Sequence, residues 1–355
     1  MTKTVLITGF PGFIATRLFF EIREQDPDTF LKLLVHPSQA TKATAVLPPQ
    51  DEKASLLIGD ITQDRLGLAE QEMEELRQQV THVFHLAAIY DLAVPRDMAY
   101  QVNVVGTRNV NQAVMSFNKL EKYVYFSTAY VSGAREGRIL EGELECAGPF
   151  KNYYEETKCL AEQSVAELGN VPTAIIRPGI IVGDSHSGET IKFDGPYFIM
   201  RFLDRFRWAP IPFIGSGKAQ INIVPVDYII AAVIYLSKTD QANGRTFHLC
   251  DPSPYAARDA YRMICEQLLD KKPVWTISWK LVDFLLSIKL LRRWLRVERE
   301  TLDYFNCLAE YDCSNAVRIL NEGGIACPNL QTYLPHVIAY YKEHRSDRDK
   351  MIQVK

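Results

Sequence analysis

The sequence predicts an α/β protein, a doubly wound parallel sheet with a smaller, mainly helical C-terminal region. Three observations predict it. Short apolar, β-branched runs alternate with longer helical stretches through the first half, which is the pattern of βαβ units. A glycine-rich turn, Gly9-Phe-Pro-Gly12, joins the first strand-like run to the first helix-like one. Beyond Arg177-Pro-Gly179 the texture shifts to irregular stretches rich in glycine, proline and aromatics, and then to a helical tail.

In chain order the strand candidates are Thr4–Thr8, Leu31–Val35, Ser55–Ile58, His82–Ala87, Lys122–Ser127 and Thr173–Ile176. Helix candidates lie between them at Ile14–Glu24, Met73–Gln79, Tyr100–Phe117 and Tyr153–Leu168, while Pro37–Lys53 reads as loop. Asn222–Val226 and Arg245–Leu249 still read as strands, so the second region is expected to cross back to the first sheet. The resulting division is a nucleotide-binding part over 1–180, rejoined by 220–250, a substrate-binding region over 181–219 and 251–345, and a tail over 346–355. No internal repeat or low-complexity segment interrupts it.

The 355 residues are 47% hydrophobic and 23% charged, the balance of an ordinary soluble protein. A net charge of −3 without a basic stripe of interleaved aromatics argues against nucleic acid as a partner. Seven cysteines without a Cys-x-x-Cys pair predict reduced thiols in a cytoplasmic protein. No charged-then-apolar leader precedes Lys3, and no run reaches the roughly 18 apolar residues of a membrane span.

Several strands end in glycine, polar or proline residues at their carboxyl ends, where open α/β sheets place ligands. Thr8, Gly9, Phe10, Pro11, Gly12, Phe13 and Ile14 form a strand–turn–helix corner. Its glycines admit a pyrophosphate to the amides of a helix N-terminus, and the small Ala15 lets that helix pack closely. After the second strand no carboxylate stands ready for ribose hydroxyls; His36, Ser38 and Lys42 instead suit a 2′-phosphate, so NADPH is preferred and NADH remains possible. Asp60, beside Ile61, reads either as an acceptor for the adenine amine or as a turn former. Leu86, Ala87 and Ala88 are small or apolar residues over which a cofactor can pass. His82 and His85 fall on opposite strand faces, so no metal centre is indicated.

Ser127 and Thr128 end the fifth strand, where hydroxyls can hydrogen-bond a carbonyl and share its developing charge. Tyr154 and Lys158 stand one helical turn apart, and an ammonium beside a phenol is expected to move the phenol's pKa down from about 10 towards neutrality. A serine-hydrolase elbow, Gly-x-Ser-x-Gly, is absent.

Together these motifs resemble the extended short-chain dehydrogenase/reductases, with a Rossmann-like sheet. The resemblance rests on Thr8-Gly-x-x-Gly12-Phe-Ile-Ala15, Gly59-Asp60-Ile61, His85-Leu-Ala-Ala88, Asn103-Val-Val-Gly-Thr107, Ser127-Thr128, Tyr154-x-x-x-Lys158 and Arg177-Pro178-Gly179, in that order. Gly59–Leu68, Ser127–Gly133 and Val182–Ser185 look like the thioester-reductase and fatty-acyl-reductase branch, the male-sterility type. Phe10 and Pro11 depart from the small residues more common in that branch.

The resemblance implies a nicotinamide-dependent oxidoreductase with Ser127 or Thr128, Tyr154 and Lys158 at the reacting carbon. It also implies that Lys158 holds the nicotinamide ribose, that Asn103 lies on a helix behind the site, and that Arg177, Pro178, Gly179 and Ile180 border the cofactor. The substrate it implies is a small acyl or carbonyl compound, presented by coenzyme A or a carrier protein, with aldehyde or alcohol as product. A ketone or secondary-alcohol oxidoreductase is the alternative, followed by a sugar-nucleotide epimerase and a non-catalytic nucleotide sensor.

In the substrate region, Trp279–Arg296 carries five basic residues against one acidic and apolar residues at helical spacing. It reads as a lid over an acyl tunnel, a peripheral membrane-surface helix or an ordinary packed helix. Tyr197, Phe198, Met200, Phe202, Phe206 and Trp208 suit either an apolar pocket or simple packing.

Overall fold

A computed structural model describes residues 3–90, 94–215, 217, 219–287 and 308–351. The chain begins β1 (Thr4–Thr8), α1 (Phe13–Gln25), β2 (Phe30–Val35), α2 (Ala40–Val46), β3 (Ala54–Ile58), α3 (Glu70–Gln79) and β4 (His82–His85). It continues α4 (Arg96–Ala99), α5 (Gly106–Met115), β5 (Lys122–Phe126), β6 (Gly137–Ile139), α6 (Tyr153–Ala166), β7 (Thr173–Pro178) and β8 (Ile180–Val182). Next come α7 (Pro196–Arg205), β9 (Phe213–Ile214), β10 (Ile223–Pro225), α8 (Val226–Lys238), β11 (Arg245–Leu249) and α9 (Ala257–Leu269). The last elements are β12 (Thr276–Ile277), α10 (Trp279–Ser287), β13 (Ala309–Tyr311), α11 (Ser314–Glu322) and α12 (Leu330–His344).

Seven strands form one parallel sheet in the order β11-β7-β5-β4-β1-β2-β3. Strands buried on both faces carry continuous apolar runs, and every residue of β1 and β5 is buried. Helices α1 and α8 cover one face through Leu18, Phe19, Ile229 and Val233, while α3, α5 and α6 cover the other through Met73, Leu76, Val110 and Ala161. The strand order reverses between β1 and β4, and such a switch point opens a crevice at the carboxyl ends of the strands. A separate apolar cluster unites α7, α9 and α12 through Tyr197, Met200, Tyr261, Ile264, Tyr333 and Val337.

Three expectations need correction. Within Pro37–Lys53 the chain forms a short turn of helix, Pro37–Gln39, and then α2. Pro37 occupies the first helical position and His36 accepts a hydrogen bond from the Ser38 amide, so these residues start a helix rather than mark a loop. Residues 223–225 pair with β8 instead of the large sheet, which is rejoined by β11 alone. Cys146 and Cys159 form a disulfide, with Cα atoms 5.7 Å apart, because the stretch after β6 folds back against α6. Cys250, Cys265, Cys313 and Cys327 are free thiols.

Candidate active site

One continuous cavity of about 1250 Å³ runs along the carboxyl ends of the strands. Its floor is the corner between β1 and α1. Gly9 has φ +86°, and a Cβ there would lie 2.8 Å from the Ala87 amide nitrogen. Only glycine therefore lets the turn after β1 touch the chain after β4. The Gly12 amide donates to the Gly9 carbonyl at 2.8 Å, and Gly12 precedes α1 as its cap residue with no side-chain cap hydrogen bond. Its first amides are left to an anion from the cavity, which Gly9 to Ala15 line without a break.

The sequence places Thr8 on this floor, but its side chain is fully buried behind it. Its hydroxyl oxygen accepts from the Leu86 and Ala87 amides at 3.2 and 3.0 Å and lies 2.7 Å from His85 Nδ1. With both amides donating to it, Thr8 donates to Nδ1, so the His85 proton sits on Nε2, 3.1 Å from Thr107 Oγ1. Burial pushes the pKa of His85 down to about 3, so it is a neutral strut between strands and α5.

Beyond the floor, His36, Ser38, Lys42, Asp60 and Ile61 line one end of the cavity, as Leu86, Ala87 and Ala88 line its middle. His36 Nε2 stands 3.8 Å from Asp60 Oδ2, while Asp60 Oδ1 accepts from the Thr62 amide at 2.9 Å. Asp60 thus holds its own turn with one oxygen and faces His36 with the other.

Ser127, Thr128, Tyr154 and Lys158 meet at the other end. Asn152 caps α6 by accepting from the Glu155 amide at 3.0 Å, and the next turns carry Tyr154 and Lys158 to the cavity. The structure separates the two hydroxyls that the sequence left paired. Thr128 hydrogen-bonds the Tyr154 hydroxyl, whereas Ser127 donates to the Glu162 carboxylate.

Glu162 and Arg177 form a buried pair, Nη2 to Oε1 at 2.5 Å and Nε to both oxygens at 2.9 and 3.1 Å. Arg177 also donates to the Glu141 carbonyl at 3.3 Å, so its side chain braces the sheet end instead of lining the cavity. Asn103 is buried as well; it accepts from the Ile89 amide at 2.9 Å and donates to Thr157 at 3.0 Å, which steers the wall between β4 and α6. Pro178, Gly179 and Ile180 do line the cavity. A Cβ on Gly179 would lie 2.7 Å from the Asn222 carbonyl oxygen, the acceptor that registers the Ile180 amide at 2.8 Å.

The expected lowering of the Tyr154 pKa is not found. Lys158 is buried and donates to the Phe126 carbonyl at 2.5 Å and the Tyr125 hydroxyl at 3.0 Å, so its ammonium is directed at β5. Burial raises the Tyr154 pKa against the opposing hydrogen bond of Thr128. Burial also lowers the Lys158 pKa to about 7, with Glu162 opposing. No motif of the sequence marks Glu162, although it lies two helical turns beyond Tyr154 on the same face of α6.

The cavity is also lined by Tyr90, Ile180, Thr190, Lys192, Asp194, Phe198 and Met351. The Tyr90 ring meets Tyr154 edge-on at 5.1 Å. Of the aromatics expected to line a pocket, Phe198 does so; Tyr197 and Met200 join the helical core, and Trp208 is 89% exposed. Of the basic amphipathic stretch, residues 279–287 form α10, and 288–296 lie outside the described residues. Among the described residues no helix is long and apolar enough to cross a membrane.

A doubly wound parallel sheet with a glycine corner at its switch point and a Thr–Tyr–Lys group two strands away defines the extended short-chain dehydrogenase/reductase class. The chain belongs to the male sterility protein family, whose profile matches residues 7–233. It is 27% identical to the nonribosomal peptide synthetase asaC of Aspergillus flavus over 90% of this chain and 34% of that one. It is 24% identical to a putative fatty acyl-CoA reductase of Drosophila melanogaster over 64% of this chain and 50% of the relative. The chain spans about half or less of the length of these curated relatives.

Among solved structures, the terminal R domain from the myxalamid PKS-NRPS pathway superposes with a TM-score of 0.80 at 22% identity, covering 99% of this chain and 93% of that one. The NAD complex of UDP-glucuronic acid 4-epimerase from Bacillus cereus gives 0.66 at 18% identity, over 97% and 98% of the two chains. Both show the shared fold.

Proposed function

We propose that this protein is an NADPH-preferring reductase of acyl thioesters, with the thioester carried by coenzyme A or a carrier protein. The observation that carries the reading is the single cavity with a glycine corner at its floor and Thr128, Tyr154 and Lys158 at its far end. The residues present suit a dinucleotide. A Cβ at Gly9 or Gly12 would strike neighbouring backbone and force the corner open, the first turn of α1 is uncapped, and the volume exceeds that of a cavity for a small ligand alone. Residues 1–180 and 220–250 make the nucleotide half of this assignment, and 181–219 with 251–345 the substrate half.

Bound NADPH supplies the hydride. The chain's own groups do the rest. Thr128 and Tyr154 converge on the carbonyl oxygen and stabilise the charge that develops there. Burial keeps the Tyr154 phenol protonated at neutral pH, so it has a proton to give. As hydride adds to the thioester carbon, the C=O electron pair moves to oxygen and takes that proton. The resulting hemithioacetal collapses with loss of the C–S bond to aldehyde and thiol.

Lys158, its pKa lowered by burial to about 7, lines the same end of the cavity and is available there to hold the ribose. His36, Ser38 and Lys42 favour the 2′-phosphate of NADPH. The curated relatives support the thioester: one is a peptide synthetase and another a putative acyl-CoA reductase. NADPH oxidation with one thiol released per aldehyde formed from an acyl-CoA is the expected result. Oxidation with ketones alone would remove the thioester assignment.

A further inference from the structure

The lining contributed by Tyr90 and by the chain beyond β7 is mostly apolar, with Thr190, Lys192 and Asp194 as its polar side chains. Tyr90, Ile180, Phe198, Ile221 and Met351 line the same cavity as Asp194, which comes from the segment between β8 and α7. That segment is held on both sides. The Phe193 amide donates to the Lys350 carbonyl at 2.8 Å, and its buried ring packs against Tyr197 and Tyr341 at 5.0 and 5.3 Å. The Tyr197 amide donates to the Asp194 carbonyl at 3.1 Å, and Gly195 follows at φ +53° with room for no bulk beside Ile180.

An aspartate in this position often caps the next helix, but α7 has Gly195 as its cap residue and no side-chain cap hydrogen bond. Among the described residues no cation lies within ion-pair distance of the Asp194 carboxylate, and burial pushes its pKa up to about 6 against the weaker pull of Lys192. A carboxylate in an apolar wall is left desolvated by an alkyl chain and satisfied by a cation.

We propose that Asp194 sets substrate class: the site takes acyl thioesters whose acyl group carries an ammonium, in preference to plain alkyl chains. The inference rests on the thioester reading of the same cavity. A group built to pair with a ligand's polar atom discriminates against the analogue that lacks it more strongly than an apolar pocket discriminates by size.

The test is calorimetric binding to the NADPH-loaded protein at pH 7.5. The probes are pantetheine thioethers, unreactive because they lack the carbonyl, in length-matched pairs with and without an amine at successive carbons. At least one amine-bearing probe is expected to bind tenfold or more tightly than its alkyl partner, and Asp194→Asn to bring that ratio below threefold. Asp194→Ser serves if Asp194→Asn does not fold. Equal or tighter binding of every alkyl probe, a ratio that survives both substitutions, or binding of neither probe overturns the proposal. Because no turnover is needed, this outcome is distinct from a failure of thioester reduction, which is read separately by NADPH oxidation.

Discussion

Replacing Ser127 and Thr128 one at a time separates two roles that adjacent hydroxyls would otherwise share. Thr128 hydrogen-bonds Tyr154 at the reacting end, and its loss in Thr128→Val removes a donor to the carbonyl oxygen. Removing one such donor lowers turnover by about 10² to 10³, or about 2.7–4 kcal/mol of transition-state stabilisation. Ser127 instead donates to buried Glu162. A hydrogen bond to a charged group contributes about 1.5–3 kcal/mol, and the bonds from Arg177 keep the carboxylate satisfied, so Ser127→Ala is expected near the lower end, about 2 kcal/mol.

An unfolding entropy of about 2.1 cal/mol/K per residue turns that into a melting point about 3 °C lower for a chain of this length. The assays are kcat/KM with a fixed acyl-CoA and thermal unfolding of the same preparations. Thr128→Val should melt near wild type and lose at least a hundredfold in kcat/KM; Ser127→Ala should melt lower and lose less than tenfold. The reverse pattern, with Ser127→Ala inactive and fully stable, would refute the separation of roles.

Lys42→Glu places a carboxylate at the end of the cavity lined by His36 and Ser38, and should weaken NADPH more than NADH; equal effects in a titration of both would defeat the 2′-phosphate assignment. Lys158 has a second, pH-dependent consequence. Above about pH 7 the folded protein has released this proton while the unfolded chain keeps it up to the ordinary lysine range, so stability rises with pH by up to about 1.4 kcal/mol per unit. Urea unfolding of the cofactor-free protein at pH 7 and 8.5 should show that gain in wild type relative to Lys158→Met, and parallel behaviour of the two would contradict it.

Reducing the Cys146–Cys159 bond reopens a loop with a sequence separation of 13. The chain-entropy cost is about 3 kcal/mol. That corresponds to about 4 °C in melting point, and identical melting of wild type and Cys146→Ser would show that the bond contributes nothing.

The nucleotide half was legible because its constraints are local. Gly9, Gly12 and Gly179 are required where backbones touch, and the strands buried on both faces spell themselves out in Val, Ile and Leu. The reacting end was legible only in part. Spacing places Tyr154 and Lys158 on one face of α6, but it does not say that the Phe126 carbonyl and Tyr125 hydroxyl take the ammonium, or that burial outweighs it at the phenol.

Thr8, Asn103 and Arg177 were placed with the cofactor because they accompany its motifs. They turn out to brace the walls, since their polar groups are consumed by amides, carbonyls and Glu162. Glu162 itself, the Cys146–Cys159 bond and Asp194 depend on partners or surroundings set by tertiary packing, which no local pattern reports.

The most direct test of the central claim follows a label through the reaction. With NADPH deuterated at the transferable position of C4 and an acyl-CoA, mass spectrometry should find deuterium on C1 of the aldehyde or alcohol product and an equivalent of free thiol. Tyr154→Phe, still able to bind NADPH, should form neither. Thiol released without deuterium in the product would mean hydrolysis, and label found only in a secondary alcohol from a ketone would mean a different substrate; either result contradicts thioester reduction in this cavity.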